Sequence, residues 1–183
     1  MSGPVGDNTA RASGVVAAAG GGAILQVKAV QVTSTISAGS GSSPVAISAF
    51  DIAFTPTADN SVLCLQLSMS SGPDGTSVGG YFYDSTGAAK IMPYADSGGS
   101  RQRLTFVDFT SGGSYNAPVN FTVWFAPGDT TTRTIQVWGA SHASASLYLN
   151  RSYNDSNTST INNARSASTF TITEYDGSLV TVA

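Results

Sequence analysis

The chain has 183 residues, a formal net charge of −3 at pH 7, and only 10% charged residues. This length suits one domain with a sizeable core, and the charged fraction is well below the usual quarter. The sequence contains no basic patch that could bind nucleic acid by counterion release, and no apolar run long enough to span a membrane. We therefore expect neither nucleic acid nor membrane as a partner.

The composition favours β-structure. Lysine occurs only as Lys28 and Lys90, and Glu174 is the sole glutamate, whereas Ser, Thr, Val and aromatic residues are frequent. Strong helix formers are thus scarce, and residues that fit a pleated surface are common. This predicts an all-β protein.

Residues 1–22 differ from the rest of the chain. They are rich in Gly, Ala, Ser and Val and keep neither a helical nor a strand period. This composition predicts that residues 1–22 form either a disordered tail or an extended N-terminal arm that becomes ordered on a neighbouring molecule. We favour a partner-binding arm, in which Val5, Val15 and Val16 are apolar anchors and Arg11 is a charged contact.

Residues 23–176 carry a series of short strands. A first strand is predicted at Ile24–Ile36, where a shift in apolar phase indicates a bulge or a crossing between two sheets. Further strands are predicted at 50–54, 63–69, 79–83, 101–109, 119–125, 133–139, 147–150 and 169–173. Turn signals every 8–12 residues or so are typical of a sandwich or barrel. Residues 177–183 are a short C-terminal tail that either pairs with a neighbour's edge strand or frays.

The stretch from Tyr148 to Tyr175 is predicted as a strand, a long polar loop and a second strand. Leu147 and Leu149 alternate with polar neighbours, and so do Phe170 and Ile172. A period of two places one apolar face on a core and one polar face outward.

Residues that could carry chemistry are few. The single cysteine, Cys64, lies in an apolar run and is predicted to be a buried structural thiol. The single histidine, His142, has no second His or paired Cys with which to bind a metal or support a nucleophile. The aspartates lie mostly in predicted turns, where Asp is favoured for backbone reasons. We therefore expect no catalytic residues, no metal and no cofactor, and hence no enzyme.

The aromatic residues suggest contacts with other proteins. Trp124, Trp138 and Tyr148 occupy strand positions opposite the predicted core face. Tyr and Trp outside a core are typical interface anchors, so we predict that these three lie in a subunit interface. The alternative is that they pack within the sandwich itself.

One set of motifs resembles a known group of proteins. The C-terminal third of the chain is similar to the C-terminal end of tailed-bacteriophage virion proteins. The similar parts are the run Tyr148–Ser152, the polar loop after it, and Ala164–Thr169 with the following strand that ends in Glu174. These include tail-fibre tips and capsid decoration proteins. The segments 5–14, 22–27 and 52–57 extend the resemblance over most of the chain.

This resemblance implies a single antiparallel β-sandwich, jelly-roll-like or similar to tumour necrosis factor, that forms homotrimers. The implied function is a capsid decoration (cement) protein that is made in the host cytoplasm, lies on the outer capsid surface of the virion, and binds the major capsid protein. The short chain and the arm favour this role. The alternative is a tail-fibre or head-fibre tip that binds host surface glycans. Strand count alone leaves jelly-roll and immunoglobulin-like topologies open.

Overall fold

The computed structural model describes residues 23–73, 77–91, 99–100, 102–109, 116–142, 145–152, 154–155 and 165–180. Within these ranges the structure is nearly all β, with one 3-10 helix at Ser48–Phe50 and no α-helix. No helix in this part of the chain has the length and apolarity to cross a bilayer. The strands are β1 Ile24–Val32, β2 Ile36–Ser40, β3 Val45–Ala46, β4 Ile52–Phe54, β5 Val62–Pro73, β6 Ser77–Asp84, β7 Ala89–Lys90, β8 Phe106–Phe109, β9 Ala117–Phe125, β10 Arg133–Ser141, β11 Ser146–Leu149 and β12 Ser168–Tyr175.

In several places two short strands lie end to end and together occupy one strand position of a sheet, which we call a line. β3 and β4 both pair with β10, β7 and β8 both pair with β6, and β1 and β2 pair with β12 and β11 respectively. Both β12 and β11 in turn pair with β5. Sheet I therefore has the line order β1+β2, β11+β12, β5, β9, and sheet II has the order β3+β4, β10, β6, β7+β8.

These eight lines pair in a nested order. The first line pairs with the eighth, the second with the seventh, the third with the sixth and the fourth with the fifth, always antiparallel. A long hairpin rolled up in this way is the two-sheet jelly roll. The predicted antiparallel sandwich is confirmed, and the nested pairing selects the jelly roll over the immunoglobulin-like alternative.

The core lies between the inner faces of the two sheets. Leu63, Leu65, Leu67 and Met69 point inward from β5, as the alternation in the sequence predicts. The inward side chains of the last two strands are equally buried: Leu147, Leu149, Phe170 and Ile172. From sheet II, Phe82 packs on Phe170 with ring centroids 5.1 Å apart. This contact joins the two layers at their centre.

Two predicted strands are shorter than the sequence indicated. Residues 33–35 interrupt the first one, because the chain changes its partner from β12 to β11 there. Of the predicted strand at 101–109, the described residues 102–109 form a strand only at Phe106–Phe109. Residues 102–105 instead cross the outer side of sheet II, where Thr105 N–H donates to the Gly80 carbonyl.

Asn150 lies where the chain leaves the line formed by β11 and β12. Its side chain is fully buried, and its φ of +60° lies in the left-handed region. The Nδ2 group donates to the carbonyls of Val32 at 2.8 Å and Ser34 at 2.9 Å, and Oδ1 accepts from Ser168 Oγ at 2.6 Å. Its own N–H donates to the Ser70 carbonyl. One side chain and its backbone thus connect the interrupted ends of β1, β11 and β12 with β5.

Glu174 lies near the opposite end of β12 and is also fully buried. Its Oε1 accepts from Thr57 N–H, Thr57 Oγ1 and Ser61 Oγ, and its Oε2 accepts from Gln26 Nε2 at 2.6 Å. Burial alone would raise the pKa of Glu174, but these hydrogen bonds outweigh it and hold the pKa below its usual value. The carboxylate therefore ties the turn between β4 and β5, and strand β1, to β12.

We predict that Asn150→Ala lowers the free energy of unfolding by about 2–4 kcal/mol, because it removes the donor to the buried Val32 carbonyl and to the Ser34 carbonyl, and the acceptor of the Ser168 hydroxyl. The nearly isosteric Asn150→Asp should also destabilise, since a carboxylate would face the carbonyls of Val32 and Ser34. Urea unfolding checks this, with exposed Asn60→Ala as the control. An Asn150→Asp chain as stable as the parent would show that the amide donors are dispensable.

We predict that Glu174 makes stability pH-dependent. Because its folded pKa is lowered, its contribution is fully present above the ordinary glutamate pKa and is lost as the pH falls through the folded value. Glu174→Gln should lower the free energy of unfolding by about 1.5–3 kcal/mol at pH 7. The difference between parent and variant should shrink on acidification towards pH 3 or so, as measured by denaturant unfolding across this range. A difference that is constant with pH would contradict this assignment.

Candidate interaction surfaces

The centre of the outer face of sheet I carries small or uncharged polar side chains among the described residues. The register places its central positions in two rows across four strands: Ala29, Thr171, Gln66 and Thr122, then Gln31, Thr169, Ser68 and Asn120. Thr173 continues the β12 column. We call these nine residues the uncharged face. A shallow depression of about 380 Å³ lies in it, lined by side chains of β5, β9 and β12.

Large apolar side chains gather at one end of this face. Ile24, Leu25 and Val27 on β1 and Trp124 on β9 are 39–55% exposed. Tyr175 of β12 lies between these strands, opposite Ile24. We call these five residues the apolar corner. Contiguous exposed apolar side chains are unusual on a monomer and mark sites of contact.

Cys64 lies beneath this corner. Trp124 is its direct cross-strand neighbour on β9, and the Trp124 and Tyr175 rings meet across β5 with centroids 5.4 Å apart. Cys64 is only 4% exposed, and burial raises the pKa of its thiol. The predicted burial of the Cys64 thiol is confirmed.

Sheet II carries an aromatic cluster on its outer face. The rings of Tyr81 and Trp138 stack with centroids 5.8 Å apart, and Tyr83 lies 4.8 Å from Trp138. Lys90 Nζ lies 4.3 Å above the Tyr81 ring. Burial, and to a lesser extent the neighbouring Tyr83, raises the pKa of Tyr81. Much of this cluster is therefore packed on itself.

A polar chain borders the aromatic cluster. Trp138 Nε1 donates to Gln136 Oε1 at 3.1 Å, and Gln136 Nε2 donates to the exposed Asp51 carboxylate at 3.0 Å. Aromatic rings beside an oriented amide and a carboxylate are chemically suited to a ligand with both apolar faces and hydroxyl groups.

The chain partly covers the outer face of sheet II. Gln102 Nε2 donates to the Ser42 carbonyl, and Lys90 Nζ donates to the Arg103 carbonyl at 3.2 Å. A β-carbon at Gly79 would lie 2.7 Å from Leu104 Cδ1 and 3.1 Å from the Phe106 carbonyl oxygen. A side chain at position 79 would therefore displace the Leu104 side chain, and glycine permits the close approach of this segment to the sheet.

Tyr148 lies at the other end of sheet I, where the polar loop begins. The Arg151 guanidinium lies 3.9 Å from its ring centroid. Asp155 pairs with Arg165 at 3.1 Å and lies 3.8 Å from Arg151. Two arginines thus flank one aspartate here, so Tyr148 lies among charged groups rather than beside the apolar corner.

The three predicted interface residues do not form one patch. Trp124 and Tyr148 lie at opposite ends of sheet I, and Trp138 lies on the outer side of sheet II. Val5, Arg11, Val15 and Val16 of the predicted arm lie outside the described residues. His142 is exposed at the end of β10. In the described part of the chain, no three His, Cys, Asp or Glu side chains come together as a metal site would require.

Sequence reasoning missed Asn150 and the ion pairs of Arg133. Arg133 binds Asp84, whose side chain is 4% exposed, and Asp129 at 2.7 Å. Asn150 was one asparagine in an Asn-rich stretch, and Asp84 and Asp129 stood in turn sequences. The available signal for Asn150 was its place directly after a strongly alternating strand.

We predict that Trp124→Ala speeds the reaction of Cys64 with a thiol reagent at least roughly tenfold, because it removes the ring that covers the sulfur. The measurement is the pseudo-first-order labelling rate in native buffer. Trp138→Ala removes a ring from the opposite sheet and is the matched control, with unfolding measured for both variants. Equal rates in the two variants would place the cover of Cys64 elsewhere.

No protein-family model and no curated protein sequence matches the chain. Among solved structures, a chain from Bacillus endospore appendages, described as disulfide-linked pili, is similar at 14% identity and a TM-score of 0.32, covering 82% of this chain and 90% of that one. A chain of infectious bursal disease virus, Gx strain, is similar at 12% identity and a TM-score of 0.38, covering 82% of this chain and 36% of that one. Both TM-scores are below 0.5, so neither likeness decides what this chain does.

Proposed function

We propose that this chain is a non-enzymatic structural protein of a bacteriophage virion, and specifically a homotrimeric decoration protein on the outer capsid surface. The observation that carries the proposal is the outer side of sheet I, which combines the uncharged face with the apolar corner. A surface of hydroxyls, amides and exposed apolar groups suits burial against protein, since it has no charges to desolvate.

The charged groups of the domain support the same proposal. Arg133 is paired with Asp84 and Asp129, and Arg151 and Arg165 flank Asp155. These charges are held in ion pairs outside the uncharged face. They leave that face to contacts that do not depend on salt.

The proposed action is mechanical. A trimer has three equivalent contact surfaces, and the segment 1–22 of each copy adds a further contact with the shell. Contacts that are individually weak become strong together when one particle binds several capsid subunits at once. Burial across the seams between capsid subunits then opposes the pressure of the packed DNA.

A second candidate function is supported by the aromatic cluster of sheet II. The rings of Tyr81, Tyr83 and Trp138 can stack on the apolar faces of sugars. The neighbouring Gln136 and Asp51 supply polar groups for the sugar hydroxyls. This chemistry favours the tip of a tail fibre or head fibre that binds a host surface glycan.

Imaging intact virions that contain this chain, by cryo-electron microscopy, tests the proposal. We expect density of the jelly roll over the outer shell, at positions related by three-fold symmetry. Density at the tail or at the end of a projecting fibre would instead favour the glycan-binding candidate. Particles with the chain at neither place would rule out both.

A further inference from the structure

We infer that the outer side of sheet I, made of the uncharged face and the apolar corner, is the surface through which copies of this chain contact each other. The inference deepens the proposed function and rests on the self-association that it includes. It assigns that contact to one of the two sheets.

The two outer faces differ in how far the chain itself covers them. Residues 102–105 cross sheet II, held by Thr105 N–H on the Gly80 carbonyl and by Lys90 on the Arg103 carbonyl. On sheet I the corresponding central positions carry uncharged side chains, many of them short, such as Ala29, Thr122 and Ser68, and most of the nine are exposed. Among the described segments, none crosses this face.

The distribution of charge favours a second copy as the occupant. Two copies of a chain with net charge −3 repel each other, so a contact between them is least costly where neither surface carries charge. The described residues of the uncharged face and the apolar corner include no Asp, Glu, Lys or Arg. A strongly charged partner would find no complementary groups on this surface.

The size of the surface is sufficient for a stable contact. Four lines about 4.8 Å apart and about nine residues long, at 3.3 Å per residue, span roughly 20 by 30 Å in projection. This projected area is on the scale of the ~800 Å² that each partner of a stable interface buries. The apolar corner places its large side chains, including a tryptophan, within this area.

The chain offers a matched pair of variants. Val27 on β1 lies in the apolar corner of sheet I, and Val107 on β8 lies on the outer side of sheet II, opposite Gly79. Both side chains are 55% exposed. Val27→Lys and Val107→Lys therefore make the same chemical change at equal exposure on opposite sheets, and neither opens a cavity in the core.

The test is the oligomeric mass of the full-length chain and both variants, by sedimentation equilibrium over a range of concentrations. We expect an oligomeric parent, a Val107→Lys variant of the same mass, and a Val27→Lys variant whose dissociation constant is raised at least roughly tenfold by an ammonium buried without a partner. A monomeric parent overturns the inference. So does a Val27→Lys variant that associates like the parent, or a Val107→Lys variant that dissociates equally.

Co-sedimentation of the same proteins with virion shells that lack the chain separates this inference from the proposed function. An oligomeric parent that is disrupted by Val27→Lys, but does not bind shells, would support the inference and count against decoration. A Val27→Lys variant that remains oligomeric and loses shell binding would assign this surface to the capsid and overturn the inference.

Discussion

The buried amide of Asn150 is the interaction on which the sheet I arrangement depends. Both β1+β2 and β11+β12 are interrupted at the same level of the sheet, beside the carbonyls of Val32 and Ser34. Carbonyls that lose their donors inside a sandwich are costly, and the Val32 carbonyl is buried. The Asn150 amide donates to both carbonyls and accepts from Ser168, and its backbone has a left-handed conformation. One residue thus bridges both interruptions.

The opposite end of β12 is organised by a different kind of group. Glu174 lies about 20 Å from Ser168 along the strand, at the level where the chain passes from sheet II to sheet I through the turn before β5. Its partners are hydroxyls, a backbone amide and a glutamine, so it organises this end as an acceptor of four hydrogen bonds. The side chains of Asn150 and Glu174 are thereby satisfied from within the domain. The nine residues of the uncharged face take no part in these hydrogen bonds and stay available for other contacts.

The alternation of apolar and polar residues predicted much of the fold. Leu63 to Met69 and the pairs Leu147/Leu149 and Phe170/Ile172 point inward as expected, because their period of two holds wherever one face is buried. The line shared by β11 and β12 could not be predicted in the same way. It depends on which residues of β5 each strand meets, and that register is set by contacts far apart in sequence.

For the candidate surfaces, too, local sequence predicts part of the arrangement and contacts far apart in sequence determine the rest. Trp124 and Trp138 looked alike in the sequence, since each lies in an alternating strand on the face opposite the core. The fold places β9 in sheet I and β10 in sheet II, so the two rings point away from the domain in opposite directions. Strand alternation identifies an outward position, but only the sheet order tells which outward face it is.

The route of the chain between β11 and β12 also has an evolutionary consequence. The strand line is left at Asn150 and resumed at Ser168, two residues joined by a hydrogen bond, so the ends of the intervening segment are held together independently of what lies between them. Doubling the length of such a closed segment costs only about 0.6 kcal/mol of chain entropy. We therefore expect the jelly roll to tolerate insertions, deletions and changes of composition after the buried Ser152. The same position is a natural point for grafting a foreign peptide onto this scaffold.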